Sequence, residues 1–248
     1  MDEEIASLQN NNTHILVKKL GNRRIVGCKW IFRIKKGLTA SKPRRYKSRL
    51  VAKGYTQREG VDFKELFSPV VRYASIRVLL VLTTVYDIKL DVKIAFLHER
   101  LQEKNFMTQP EGYVDFEKPD HVFLLKRSLY RLKKSPRQWY LMFDEFILSH
   151  GYLRCSFDCC VHYKLINSSF YKYLLLYVDD ILIAYKAREE IEDLKNMLNS
   201  EFGMKDLGLA KKILGMEIKR DRSKGIMFLS QGKYLKKVLE TFRMTSNL

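Results

Sequence analysis

Tyr173-Leu-Leu-Leu-Tyr-Val-Asp179-Asp180-Ile-Leu-Ile-Ala-Tyr185 sets two adjacent acids inside an otherwise apolar run of thirteen residues. The flanks read as buried strands, which predicts a hairpin with the acids at its turn. Asp is a common turn residue, so an ordinary surface turn is the simplest alternative. Such turns usually carry Gly or Asn between polar shoulders, and this one has neither. Carboxylates held against an apolar sheet are costly without a compensating cation. The pair therefore points to a metal.

Outward from this run, Asp91 has similar surroundings. It follows Tyr86-Asp-Ile-Lys-Leu90 and precedes Val92-Lys-Ile-Ala-Phe96. Alone it reads as a helix cap. Paired with Asp179 it suits phosphoryl or nucleotidyl transfer, which uses two hard cations about 4 Å apart held by carboxylate oxygens. Carboxylates on adjacent strands of one sheet can bridge such a pair.

The remaining elements follow from periodicity and punctuation. Strands are expected at Val26–Lys36 and Arg45–Tyr55, joined by a turn around Gly37–Pro43, and at Ile88–Val92, Val122–Lys126 and Val161–Ile166. Others are expected at Tyr171–Val178, Ile181–Tyr185, Ile213–Arg220 and Ile226–Leu229. Ser68–Pro69 and Ser135–Pro136 each open a helix, Ser as cap and Pro at the first helical position. The first helix runs to about Tyr86. The second carries Trp139, Met142, Phe143, Phe146 and Ile147 inward and stops at Gly151. A third covers Arg188–Phe202 with Ile191, Leu194 and Leu198 inward, ending at Gly203. A fourth starts near Gln231 and carries Tyr234, Leu235, Val238, Leu239 and Phe242. Residues 1–12 read as an irregular lead-in. Strands and helices alternate without the rhythm of a doubly wound sheet, which favours α+β.

Charge narrows the partner. The net charge is +18 and the pI about 9.7, so polyanions are attracted, nucleic acid first among them. Between Ile5 and Arg58 there is no Asp or Glu and there are fifteen basic residues. A solvated face interleaves signs; a one-sign segment suits phosphates. Lys47, Arg49 and Lys53 fall on odd positions with Tyr55, which puts the charge on one strand face. A solvated edge hairpin is the plainer reading. Residues 1–12 resemble no signal peptide. No apolar run approaches a membrane span, Val78–Tyr86 being among the longest. Cys28, Cys155, Cys159 and Cys160 lack paired CxxC spacing and read as free thiols in a reducing compartment.

Leu90-Asp-Val-Lys-Ile-Ala-Phe-Leu-His98 resembles motif A of Copia-type LTR retrotransposon reverse transcriptases, and Tyr177-Val-Asp-Asp180 resembles their motif C. Leu125-Lys-Arg-Ser-Leu-Tyr-Arg-Leu-Lys-Lys-Ser-Pro-Arg-Gln-Trp-Tyr140 is similar to the motif B region. Gly27–Phe32, Tyr46–Gln57 and Phe67–Val71 resemble the fingers and the start of the palm. Phe202–Gly208, Leu214–Ile218 and Leu229–Gln231 resemble the end of the palm. The likeness runs from about Asn12 to Met244.

The resemblance implies a fingers–palm fold with a ferredoxin-like palm and only the start of a thumb. Residues 12–66 and 99–135 would be fingers, 67–98 and 136–230 palm, and 231–248 the start of a thumb or connection. It implies an RNA- and DNA-directed DNA polymerase. Asp91, Asp179 and Asp180 would hold two Mg2+ ions, with Mn2+ a substitute. Phe96 would be the steric gate against a ribose 2′-hydroxyl. Lys47, Arg49 and Lys53 would meet the incoming deoxynucleoside triphosphate. Tyr130 and Pro136 would lie beside the nascent base pair. Tyr177, Val178 and the primer grip Leu214, Gly215 and Met216 would hold the primer on an RNA or DNA template. The setting would be the cytoplasmic virus-like particle of the element, upstream of DNA integration.

Three positions depart from the pattern. Ile94 stands for an Asn, Glu99 for a Gly, and Arg131 for the Gly of Ser-Leu-Tyr-Gly-Leu. A Gly beside a base pair permits close backbone approach, which Arg131 would obstruct. A second reading follows: a degenerate remnant that binds nucleic acid without polymerising.

Overall fold

The computed structural model describes the chain except residues 20, 22–23, 36–43, 59, 61–66, 95–99, 167–169, 187–188, 203 and 245–248, with the backbone alone at 35, 45, 92–94, 100–103, 189–190 and 205–207. In chain order the elements are α1 (Asp2–Asn10), β1 (His14–Lys18), β2 (Ile25–Val26), β3 (Cys28–Lys35), β4 (Arg45–Ala52), α2 (Tyr73–Val85), β5 (Lys89–Ile94), β6 (Arg100–Met107), β7 (His121–Arg127) and α3 (Ser135–Ser149). There follow β8 (Leu153–Arg154), β9 (Val161–Ile166), β10 (Phe170–Tyr177), β11 (Asp180–Tyr185), α4 (Glu189–Phe202), β12 (Lys205–Leu209), β13 (Lys212–Ile213), β14 (Met216–Asp221), β15 (Ile226–Ser230) and α5 (Gly232–Thr241). The chain is mixed α+β, as its pattern suggested. It divides into two compact units, Met1–Pro69 with Leu97–Phe146, and Val70–Phe96 with Ile147–Leu248.

The second unit is built on a six-stranded sheet in the order β12-β5-β11-β10-β9-β8. Every pairing in it is antiparallel. β5 and the β10–β11 hairpin are joined by chain that includes α3, and β11 leads through α4 to β12. The spatial order β12-β5-β11-β10 is that of a split β-α-β-β-α-β unit. Ile191, Leu194 and Leu198 of α4 are all buried, the i, i+3, i+7 stripe of the sequence. At about 2 kcal/mol for each buried aliphatic side chain, this stripe decides which face α4 turns inward.

The start of α2 differs from expectation. Ser68 and Pro69 lie outside the helix, Ser68 Oγ donating to the Pro136 carbonyl at 3.1 Å, and the helix begins at Tyr73. Its first turn is capped from a distance. Asp158 Oδ2 accepts the Arg72 N–H at 2.8 Å and the Ser75 hydroxyl at 2.6 Å. The stretch read as one strand from Ile213 to Arg220 is a hairpin, β13–β14. Leu214 (φ 48°) and Gly215 (φ 83°) form its turn, the double left-handed conformation of a two-residue loop.

In the first unit β1-β7-β6-β2 form one sheet and β3-β4 a second. Residues 1–12 are not irregular. Leu8 of α1 lies in the core with Leu50, Met107, Phe123 and Leu125, and Ile5 packs against it. Two apolar residues among polar ones are a weak sequence signal, but one buried Leu fixes the helix. Trp139 and Phe143 are buried with centroids 5.6 Å apart, core rather than a stacking platform. β4 ends at Ala52, so Lys53 is not on the strand face that carries Lys47 and Arg49. The turn at 36–43 lies outside the described residues.

A loop at 130–133 is sewn to the end of β4. Ala52 N–H donates to the Tyr130 carbonyl at 3.1 Å, and Lys133 N–H donates to Gln57 Oε1 at 3.0 Å. A Cβ on Gly54 would collide with the Arg131 carbonyl, so this close approach requires Gly there. Arg131 itself has φ 72°. The Gly that the resemblance implies at this position fits such a backbone conformation, where a side chain costs roughly 1–2 kcal/mol. Arg131→Gly should raise the stability of the chain by about 1 kcal/mol in urea unfolding; an unchanged or lower midpoint would show that Arg131 bears no strain.

Candidate active site

β10 and β11 pair from Tyr173↔Ala184 to Tyr177↔Asp180. The two-residue turn is therefore Val178–Asp179, and Asp180 is the first residue of β11 rather than part of the turn. Leu174–Leu176 and Ile181–Tyr185 are buried, so a rigid ladder presents the tip. Val178 has φ 51°, a left-handed conformation that a β-branched side chain rarely adopts. Tyr177 is half-buried and Val178 exposed. Burial pushes the Asp180 carboxyl above the usual carboxylate range, and Asp179 Oδ1 is shut off from solvent.

Asp91 sits on β5, opposite Ile183 of β11 and Leu209 of β12. It is 3% exposed. Its Oδ2 meets Lys195 Nζ of α4 at 2.6 Å, while its Oδ1 is buried and receives no hydrogen bond among the described residues. Directly opposed residues share a sheet face. Asp91 thus shares a face with Ile183 and Ile181, and Asp180, opposite Ile94, points to the other. Ile94 is three residues from Asp91, about 10 Å along the strand. The structure joins Asp179 and Asp180 in one hairpin and sets Asp91 on the neighbouring strand. It does not gather the three carboxylates into one cluster.

Carboxylate oxygens suit a hard divalent cation, and an unpartnered buried oxygen such as Asp91 Oδ1 is what a cation would satisfy. In donor type the residues fit a metal. Among the described residues, three metal-ligating side chains within 4.8 Å of one another occur at Asp158, Cys159 and Cys160. That Asp158 carboxylate is already committed: besides its contacts at α2, Oδ1 accepts the Cys160 N–H at 3.0 Å. This group holds the start of α2 and reads as structural.

In the first unit Arg49 and Tyr130 are brought together, the guanidinium 4.8 Å from the ring centroid. Lys53 N–H donates to the Gly27 carbonyl at 2.7 Å. β3 and β4 set Arg33 opposite Lys47, two like charges on one rung of the ladder. The other face of the pair exposes Phe32, Ile34 and Tyr46. Pro136 lies in the first turn of α3 and Leu214–Met216 at the β13–β14 turn. Phe96 and Glu99 fall outside the described residues, as does the side chain of Ile94.

Two charged residues were missed from sequence. Lys195 falls at the edge of the α4 stripe, four residues after Ile191, where a basic residue beside apolar positions is the only hint. Arg220 of β14 donates to Asp87 Oδ1 at 2.8 Å and to the Ile88 and Thr83 carbonyls, clamping the turn that feeds β5; no periodicity announces it. The raised Asp180 carboxyl has a consequence for stability. The folded state keeps its proton to higher pH than the unfolded state, so stability falls as pH rises from the ordinary range near 3.8 through the raised value. In metal-free buffer Asp180→Asn should be more stable than the parent at pH 7, with the gap closing in acid below the ordinary carboxylate range; a gap independent of pH would count against the burial penalty.

No helix among the described residues is long and apolar enough to cross a membrane. Residues 11–248 match the family described as reverse transcriptase (RNA-dependent DNA polymerase). The chain is 48% identical over 247 residues to the retrovirus-related Pol polyprotein from transposon TNT 1-94 of Nicotiana tabacum, covering 98% of this chain and 18% of that one. It is 37% identical to the Pol polyprotein from transposon RE1 of Arabidopsis thaliana, covering 98% of this chain and 17% of that one. It thus spans less than a fifth of these relatives. The acids on neighbouring strands and the likeness along almost the whole length agree: the chain belongs to the reverse transcriptase family, as the domain found in Copia-type retrotransposon Pol polyproteins.

Proposed function

We propose that the chain is an RNA- and DNA-directed DNA polymerase acting by two-metal nucleotidyl transfer, with residues 12–66 and 99–135 as fingers, 67–98 and 136–230 as a ferredoxin-like palm, and 231–248 as the start of a thumb or connection. The observation that carries this reading is the placement of Asp91 and the Asp179–Asp180 hairpin on hydrogen-bonded neighbours, β5 and β11, of a split β-α-β-β-α-β sheet. When bound by Asp91, Asp179 and Asp180, magnesium (or manganese) supplies Lewis acidity for the primer 3′-hydroxyl and for the leaving pyrophosphate. Arg49, held by Tyr130, with Lys47 and Lys53 supplies cationic donors for a deoxynucleoside triphosphate. Phe96 acts as the sugar gate, and Tyr130 and Pro136 lie beside the new base pair. Tyr177, Val178 and the Leu214–Gly215–Met216 turn hold the primer strand. The element's cytoplasmic virus-like particle is the setting this implies.

The decisive assay is primer extension on a primed RNA template with magnesium. The parent should incorporate deoxynucleotides, and Asp179→Asn should lose about two orders of magnitude or more. Template binding without extension by the parent would select the second reading, a non-polymerising remnant, which the strained Arg131 favours.

Arg33 and Lys47, opposite each other on β3 and β4, suggest a phosphate-facing surface. Affinity for an RNA–DNA duplex should fall linearly on a log–log plot against salt, and Arg33→Ala with Lys47→Ala should reduce the slope by roughly 2. An unchanged slope would place the duplex elsewhere.

A further inference from the structure

Asp91 is the most buried acid of the proposed site, and it is not left bare. Lys195, whose side chain is itself 13% exposed, reaches from α4 to Asp91 Oδ2 at 2.6 Å. Removing one partner of a buried pair leaves the other charge uncompensated in a low-dielectric interior. The remaining oxygen, Oδ1, is buried and receives no hydrogen bond among the described residues, so one lysine only half answers the carboxylate. The register adds a second fact. Asp91 shares a face with Ile183, about three residues along the strand from the position opposite Asp180. The pleat of β5 thus sets Asp91 on the face opposite Asp180, and the ammonium engages it there.

We propose that Lys195 is the resident counter-cation of Asp91, a positioning residue that neutralises and holds this carboxylate while no divalent cation is bound and competes with such a cation for it. This rests on the reading of Asp91 as a metal ligand. A divalent ion reaching Asp91 must weaken the Lys195 contact, because both cations are drawn to one carboxylate and repel each other. Lys195 thereby sets how much of the chain's affinity for metal is spent on releasing Asp91. Without the lysine, the metal-free protein keeps a buried charge that only the metal can compensate. Stability and metal binding become linked through mass action.

The experiment is thermal unfolding of the full 248-residue chain over a series of Mg2+ or Mn2+ concentrations, with Lys195→Met, Lys195→Arg and the double variant Lys195→Met/Asp91→Asn. In metal-free buffer Lys195→Met should lose about 5 °C or more in Tm. The deficit should shrink as metal is added, so its metal-induced rise exceeds the parent's. Lys195→Arg, which keeps the charge, should respond like the parent. The double variant should be more stable than Lys195→Met without metal and should lose the extra metal response. A Lys195→Met deficit that is the same at every metal concentration overturns the proposal, as does a variant no less stable than the parent. If Lys195→Met does not fold, a folded double variant supports the counter-charge role; a double variant that fails equally shows that the lysine stem only packs. Primer extension by the parent and by Asp179→Asn separates the two levels. Asp179-dependent extension with a metal-independent Lys195→Met deficit leaves the polymerase reading intact and removes only the role of Lys195. No extension and no metal-induced stabilisation of the parent removes the reading beneath it.

Discussion

On the inner strand of the second unit's sheet, flanked by β11 and β12, an ionisable carboxylate is 3% exposed. A charge in that position is tolerable only with a partner in good geometry, and much of the surrounding structure serves that need. α4 buries its apolar stripe against the sheet and thereby delivers Lys195 to Asp91. Arg220 clamps the Tyr86–Ile88 corner and fixes where β5 begins. The register of β5 against β11 then follows, and with it the distance between Asp91 and the β10–β11 turn. The acids of this unit are thus coupled through strand register, since a slip by one residue would turn Asp91 to the opposite face.

Much of this was legible in the sequence because it rests on local chemistry. The Asp179–Asp180 pair interrupts an apolar run, and the run itself dictates a buried hairpin. The α4 stripe is a clean 3.6-residue repeat, and Trp139, Phe143 and Ile147 mark the inner face of α3 by the same rule. What escaped was non-local. α2 starts four residues after the Ser68–Pro69 signal because its cap, Asp158, lies 86 positions from Arg72. α1 depends on Leu8 meeting Leu50, and β6 on its pairing with β7. The Lys195–Asp91 pair joins residues more than a hundred positions apart, and no spacing rule connects them. The proposed site was readable as a list of acids; their relative register was not.

Three of the six non-glycine residues with positive φ among the described residues lie where function is proposed. Val178 at the hairpin tip, Arg131 beside the end of β4 and Leu214 at the β13–β14 turn all have positive φ. Each is tolerated because flanking ladders or hydrogen bonds over-determine its conformation. Gly215 absorbs half of its turn without penalty. Arg131 has no such freedom, and its carbonyl is pressed against the one residue, Gly54, that can accept it. Substitution of a small flexible residue at this position is therefore felt first in the backbone and only then at any ligand.

The strand order of the second unit also bears on how the chain is made. β5 finds its partners only when β11 and β12 exist, and 85 residues, most of them in the other unit, lie between Ile94 and Asp180. At typical synthesis rates that is a wait of roughly 5–15 s, during which β5 has both hydrogen-bonding edges open. Such an edge is a template for pairing with another chain. Lys89 and Lys93, which interrupt the strand's apolar residues, are the kind of charge that discourages such pairing. The first unit has a similar wait, 102 residues lying between Lys18 of β1 and His121 of β7, but β1 is an edge strand with one ladder to fill, and the last strand of that unit is finished by Arg127. Between the two units, the one carrying the acids is the slower to complete and the more exposed to misassembly on the ribosome.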